Sequence, residues 1–449
     1  MKLANHFIKA LLAAACLMAL MASCIRDNGD APIVVTPSDD EVKTVNLSIR
    51  VPSSTQNLTR AVEDYNAECE VGEVDVLQFT GGKFAYRATG YNITGSGSKR
   101  TFTAKLLIGN YDIVVIANAR EAVNDAVNGT NGVTAWSEST ATQEALDRLA
   151  ITVAATDKIT ARGVLPQLPM FGILKGVAVN TSLDLTGTGA IHLVRMLSKI
   201  EVELSAEAAS GEPDGTGNAN FELVDVRLYN QALKGWVTPQ VSTWPATNIT
   251  TTAYYGGASA PTKAAYKNTP SDEPIVYSGA ADNVEASTVL NSIYTFEAPA
   301  GSEAGRNTNV CLVVGGYYKG SSDVSYYRVD LRDKATGTYM TLLRNHNYTV
   351  NVLTVTGPGY PDPPSAFDGT PRLEAEVVPW NLAGQNTIVD GQYFLEVDED
   401  LIELQGSGKV KSFNAETNYN ITSQGFPAGL QVESIEIKYL SGGTGWLSI

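Results

Sequence analysis

The chain has 449 residues, more than one ordinary domain, and 43% of them are apolar, enough for packed cores. Its 48 acidic against 32 basic residues give a net charge of −16, which repels phosphate backbones and excludes nucleic acid as a partner class. Three His and four Cys, widely spread, exclude a zinc finger and a disulfide-dense scaffold.

In chain order, residues 1–23 read as an export signal. Lys2 and Lys9 supply the positive region, and an uncharged aliphatic run of 12 residues, 10–21, is too short to span a bilayer. The run ends in Leu20-Met21-Ala22-Ser23-Cys24, which resembles the lipobox of bacterial lipoproteins and implies acylation at Cys24. A plain secretory signal is the alternative. A polar, acidic stretch over 25–44 reads as a tether.

Next, Val45, Leu47, Ile49 and Val51 stand at strict period two, so one face of this strand is wholly apolar and must be covered. A polar stretch follows to Leu58-Thr59-Arg60-Ala61, where the body begins. Residues 74–79 and 84–86 predict a hairpin around Gly81-Gly82. Residues 101–107 alternate, and 111–117 is a continuous β-branched run that predicts a strand buried on both faces. Two short helices are expected, at 121–127 and 142–149, then strands at 151–154, 176–179 and 191–204. The stretch 206–220 is rich in Ala, Gly, Glu and Ser, and marks the domain boundary.

Beyond it, strands are expected at 221–229, 289–296, 309–318, 325–331 and 339–355, separated by long polar loops. Residues 358–369 carry four prolines and read as a loop. In 372–380, Leu373, Ala375 and Val377 share one face and Trp380 follows. This spacing predicts an all-β chain of sandwiches with a few short helices, not βαβ units. Cys69 and Cys311 read as two separate buried thiols.

Catalysis needs a nucleophile, base or metal held in place. His6 lies in the signal, and His192 and His346 sit in strand patterns that read as core. Gly315-Gly316 inside a strand reads as a bulge, and Asp398-Glu399-Asp400 as a solvated turn. The five Trp are scattered. The expectation is a non-enzyme with no cofactor and no metal.

Several segments, taken in order, resemble the Bacteroidales fimbrillins, the fimbrial subunits of Gram-negative anaerobes. Residues 109–118 (Gly-Asn-Tyr-Asp-Ile-Val-Val-Ile-Ala-Asn) are similar to a central strand of the first domain, and 194–200 (Val-Arg-Met-Leu-Ser-Lys-Ile) to the strand closing it. Residues 310–316 (Val-Cys-Leu-Val-Val-Gly-Gly) resemble the central strand of the second domain. Residues 343–350 (Leu-Arg-Asn-His-Asn-Tyr-Thr-Val) and 377–386, with Trp380, resemble its late strands.

The resemblance implies two tandem transthyretin-like β-sandwiches, over 61–205 and 220–386, preceded by a tether and propeptide strand over 24–60. It implies export as an outer-membrane lipoprotein and cleavage between Arg60 and Ala61. The strand carrying Val45, Leu47, Ile49 and Val51 is then lost, and a neighbour's strand fills the groove, with Leu373, Ala375, Val377 and Trp380 as the donor candidate. The implied partners are other copies or related fimbrial subunits at the cell surface, and a host glycan or protein receptor. Residues 387–449 run beyond the family pattern and read as a small β-rich extension. With that extension, a tip or accessory adhesin and an anchored glycan-binding lipoprotein stay open beside the polymerising subunit.

Overall fold

The computed structural model describes residues 37–38, 40–51, 68–96, 99–154, 157–159, 165, 167–180, 183, 185, 190–210, 220–240, 274–278, 284–285, 289–334, 336–381, 387–390, 393–397 and 415–417. The first half holds β1 (Val42–Arg50), β2 (Val74–Thr80), β3 (Lys83–Thr89), β4 (Tyr91–Ser96), β5 (Lys99–Leu107) and β6 (Gly109–Ala117). Helices α1 (Arg120–Asn128) and α2 (Thr142–Asp147) follow, then β7 (Ala150–Thr152), β8 (Met170–Val179), β9 (Ile191–His192) and β10 (Val194–Arg195).

The second half begins with β11 (Leu197–Leu204), the one-turn helix α3 (Ala206–Ala209), β12 (Phe221–Tyr229), β13 (Lys234–Trp236), β14 (Ile275–Ser278) and β15 (Val284–Glu285). It continues through β16 (Val289–Phe296), β17 (Cys311–Tyr318), β18 (Val324–Asp330), β19 (His346–Val355), α4 (Pro363–Asp368) and β20 (Leu373–Asn381). Strands β21 (Thr387–Asp390), β22 (Tyr393–Val397) and β23 (Ala415–Thr417) pair into a sheet of their own.

The chain is all-β, built as two sandwiches. In the first, the sheet β4-β5-β1-β9 faces the sheet β10-β8-β6-β2-β3. Val45, Leu47, Phe102 and Ala104 from one sheet meet Val74, Val76, Ile113 and Val115 from the other. The β6 run is buried on both faces, which explains its unbroken β-branched sequence. Ile113 and Val115 enter this core, while Val114 and Ile116 pack outward with Val123 and Ala126 of α1 and Leu146 of α2. That outer cluster also takes in Val237, Tyr294 and Phe296 from the second half, and β7 pairs with β13, so the two sandwiches share an apolar junction.

In the second sandwich, β15-β16-β11-β19-β20 faces β14-β12-β17-β18 around Ile200, Val202, Val226, Leu312, Val314 and Val350. Gly316 lies under the Phe221 ring, where a Cβ would come within 2.2 Å of that ring. Opposite this glycine pair the register shifts between Leu223 and Asp225, so the irregularity falls on β12, the facing strand.

Four expectations are corrected. The run 191–204 is not one strand: β9 pairs with β1, β10 with β8, and β11 with β16 and β19, so the chain changes sheet at Leu193 and again at Met196. The boundary therefore precedes Leu197, and 206–220 is a connection inside the second sandwich. The prediction failed because a low-complexity stretch marks a loop and does not say which core the flanking strands enter. The proline-rich stretch holds α4: Asp362 caps it, accepting from the Ser365 N–H at 2.8 Å, and Pro363 and Pro364 occupy first-turn positions that need no N–H donor. The strand expected at 339–355 starts at His346.

Candidate functional site

Strand β1 does not sit at an edge. It runs antiparallel to β5 from Val42–Leu107 to Arg50–Lys99 and parallel to β9 at Ile49–Ile191 and Arg50–His192. Leu185 adds a backbone bridge, donating to Asn46 O at 3.2 Å and accepting from Ser48 N at 3.0 Å. The Leu193 N–H closes the strand's far end on Arg50 O at 2.8 Å.

The period-two pattern places Val45, Leu47, Ile49 and Val51 in the first core, all at 2% exposure or less. Leu47 stands opposite Phe102 and Val45 opposite Ala104. Burial of four such side chains contributes roughly 6–12 kcal/mol as an upper figure. On the other face Thr44 and Asn46 are exposed, while Ser48 is buried and its hydroxyl donates to Leu185 O at 3.1 Å.

The residues after 52–67 are pinned as firmly as β1 itself. Glu68 is 1% exposed. Its carboxylate meets Lys199 Nζ of β11 at 3.1 Å and accepts from the Tyr294 hydroxyl of β16. Its carbonyl accepts from Arg195 Nε at 3.1 Å, and Cys69 O accepts from Arg100 Nη2 at 3.0 Å. Lys199 also lies 2.6 Å from Glu201. The segment 52–67 thus runs between two fixed points. Sequence reading missed this clamp, since only the strand pairing brings Glu68 to Lys199. Arg60 and Ala61 fall between those points, and they and Cys24 lie outside the described residues.

His192 is buried beside the end of β1; burial, then the Arg50 charge, pushes its pKa down to about 3, so it stays neutral at ordinary pH. Burial likewise lowers His346, whose Nδ1 lies 2.8 Å from Arg344 O. Cys69 and Cys311 are both buried thiols outside any disulfide among the described residues. A separate polar cleft of about 860 Å³ lies beside α1 and β7, where Arg120 and Arg148 are already engaged by Asp75 and Glu144.

The donor candidate is β20, which among the described residues is the outermost strand of its sheet and pairs with β19 alone. Val377 is buried in the second core, and Leu373 and Ala375 are half-buried against it. Trp380 lies in the same strand, its backbone opposite Asn347; its side chain is outside the described residues. The structure therefore brings Val45, Leu47, Ile49 and Val51 into one core and keeps Leu373, Ala375 and Val377 at another.

No curated protein sequence matches the chain. Among solved structures, the tip fimbrial protein Mfa3 from Porphyromonas gingivalis, with a C-terminal truncation, is 14% identical over 76% of this chain and 100% of that one, with a TM-score of 0.40. A fimbrilin from Porphyromonas gingivalis W83 is 14% identical over 75% of this chain and 96% of that one, with a TM-score of 0.40. A candidate cell adhesion protein from Parabacteroides distasonis ATCC 8503 is 17% identical over 76% and 100%, with a TM-score of 0.43. A family model matches residues 36–386, which include both β1 and β20. Over that span, the chain belongs to the family of fimbrillin-A associated anchor proteins Mfa1 and Mfa2.

Proposed function

We propose that this chain is a subunit of a cell-surface fimbria serving adhesion, exported as an outer-membrane lipoprotein acylated at Cys24. In this reading, cleavage between Arg60 and Ala61 releases β1, and a neighbouring copy or related subunit fills the vacated place with its own strand. The placement of β1 is the observation that supports it most. The strand is central to its sheet and fills the first core, yet it joins the body of the chain through 52–67, where one cut would detach it. Its loss would strip β5 of one of its two partners, leaving β4, and open an apolar slot, and a buried unpaired backbone edge is costly. A strand of matching alternation restores both, and the head-to-tail contact that results does not close on itself.

The donor candidate in this reading is β20. As the outermost strand of its sheet among the described residues, with Val377 buried and Leu373 and Ala375 half-buried, it is the strand of that sheet best placed to detach.

The decisive experiment is Arg60→Ala in the full-length chain expressed on cells. The expected result is an unprocessed lipidated monomer, whereas wild type starts at Ala61 and forms denaturant-resistant ladders. Normal ladders from the variant would sink the reading. The complete fit of β1, in a family described as anchors, favours a second reading in which the strand is kept. A blocked Cys24 at the N-terminus of the mature wild-type protein would identify that retained, basal subunit.

A further inference from the structure

Charge is distributed very unevenly over this chain. The four strands β4, β5, β1 and β9 contain Lys43, Arg50, Lys99, Arg100 and Lys105 and no Asp or Glu, in a protein of net charge −16. Three of these cations belong to β5 and would stay after β1 leaves. On the outward face of β5, Lys99 and Lys105 are exposed and flank Thr101 and Thr103. The C-terminal part of the sequence is acidic: residues 373–449 carry eleven Asp and Glu against three lysines.

The alternation makes the match specific. In β1, Val45, Leu47 and Ile49 point inward while Asn46 and Ser48 lie between them, opposite Thr103 and Thr101. In β20, Leu373, Ala375 and Val377 alternate in the same way, with Glu374 and Glu376 between them. A strand with the β20 pattern laid in the β1 register puts Glu374 opposite Thr103, diagonal to Lys105. It puts Glu376 opposite Thr101, diagonal to Lys99, at the place that Ser48 holds buried beside the Leu185 carbonyl. Diagonal neighbours on one sheet face are about 7–8 Å apart, within reach of Lys and Glu side chains. β1 itself offers no carboxylate at these positions.

We infer that the cationic face of β5 is an electrostatic acceptor for the acidic C-terminal segment of a second copy of this chain, with Lys99 and Lys105 receiving Glu376 and Glu374. This rests on the strand-donation reading and adds what selects and speeds the partner. Complementary fields of this kind raise association rates and set register more than they add affinity. The acidic remainder of the surface, meanwhile, keeps like faces apart.

The test compares four full-length proteins: wild type, Lys99→Glu with Lys105→Glu, Glu374→Lys with Glu376→Lys, and the quadruple exchange. Each is cleaved and its assembly rate followed by light scattering at low and high salt. Each reversed pair is expected to assemble at least about 10-fold more slowly at low salt, with the gap closing at high salt, where charges are screened. The quadruple exchange is expected to return to the wild-type rate, which a folding defect could not produce. Unfolding midpoints of the uncleaved proteins check that the fold is kept. Equal rates for all four overturn the inference, and so does slowing that the quadruple exchange fails to rescue. Wild type that is cleaved but never assembles brings down the donation reading itself, and that failure is visible in the control alone.

Discussion

Leu47→Ala offers the sharpest measure of what β1 contributes. Leu47 has no exposed surface, faces Phe102 on β5 and is bridged to Leu185 on its other side. Two paired sheets hold the site, so it can collapse little around a smaller side chain. Truncations of this kind cost about 2–5 kcal/mol, and a rigid site belongs in the middle of that range or above. Taking about 3 kcal/mol, and about 2–4 °C per kcal/mol for a unit of 150–250 residues, the first sandwich should melt roughly 6–12 °C lower. Calorimetry of the uncleaved protein measures this directly. Asn46→Ala is the control: its neighbouring side chain is exposed and loses one surface hydrogen bond from Thr103 Oγ1, at 3.1 Å. That change should shift the midpoint little, since surface substitutions usually stay within about 0.5 kcal/mol. If the two variants melt within a degree or two of each other, β1 does not form the core described, and the argument for a slot beneath it fails.

Lys199→Met should destabilise the junction by about 3–5 kcal/mol, because it leaves the buried carboxylates of Glu68 and Glu201 with hydrogen bonds from Tyr294 and Asn347 but without this cation. Adding Glu68→Gln should recover part of that loss in urea titrations, and no recovery would show that the two groups do not interact. Acid should weaken the first sandwich through His192. The unfolded imidazole protonates near 6.5 and the folded one only near 3. Between those values the unfolded chain binds more protons, so stability falls with pH by up to about 1.4 kcal/mol per pH unit. His192→Gln should flatten that slope between pH 6.5 and 4, and an unchanged slope would assign it to other groups.

The residues whose burial depends on their own alternation were legible in the chain. Val45, Leu47, Ile49 and Val51 announced an apolar face, and the unbroken β6 run announced a strand covered on both sides. The Gly81-Gly82 hairpin and the two helices followed from local turn and helix chemistry, which acts within a few residues. Partner choice was not legible in the same way. Nothing in the period of β1 names β5 and β9 as its neighbours or places Leu185 against its backbone. Nothing local divides 191–204 among three sheets, since the same β-branched residues satisfy any of them. The helix inside the proline-rich stretch needed Asp362 as a cap, a signal outweighed by the prolines after it. The Glu68–Lys199 contact spans two sandwiches and exists only once β11 has crossed from one core to the other. Short-range periodicity thus determined which faces are buried. The tertiary structure decided what covers them, because pairing and ion-pair geometry depend on segments far apart in the chain.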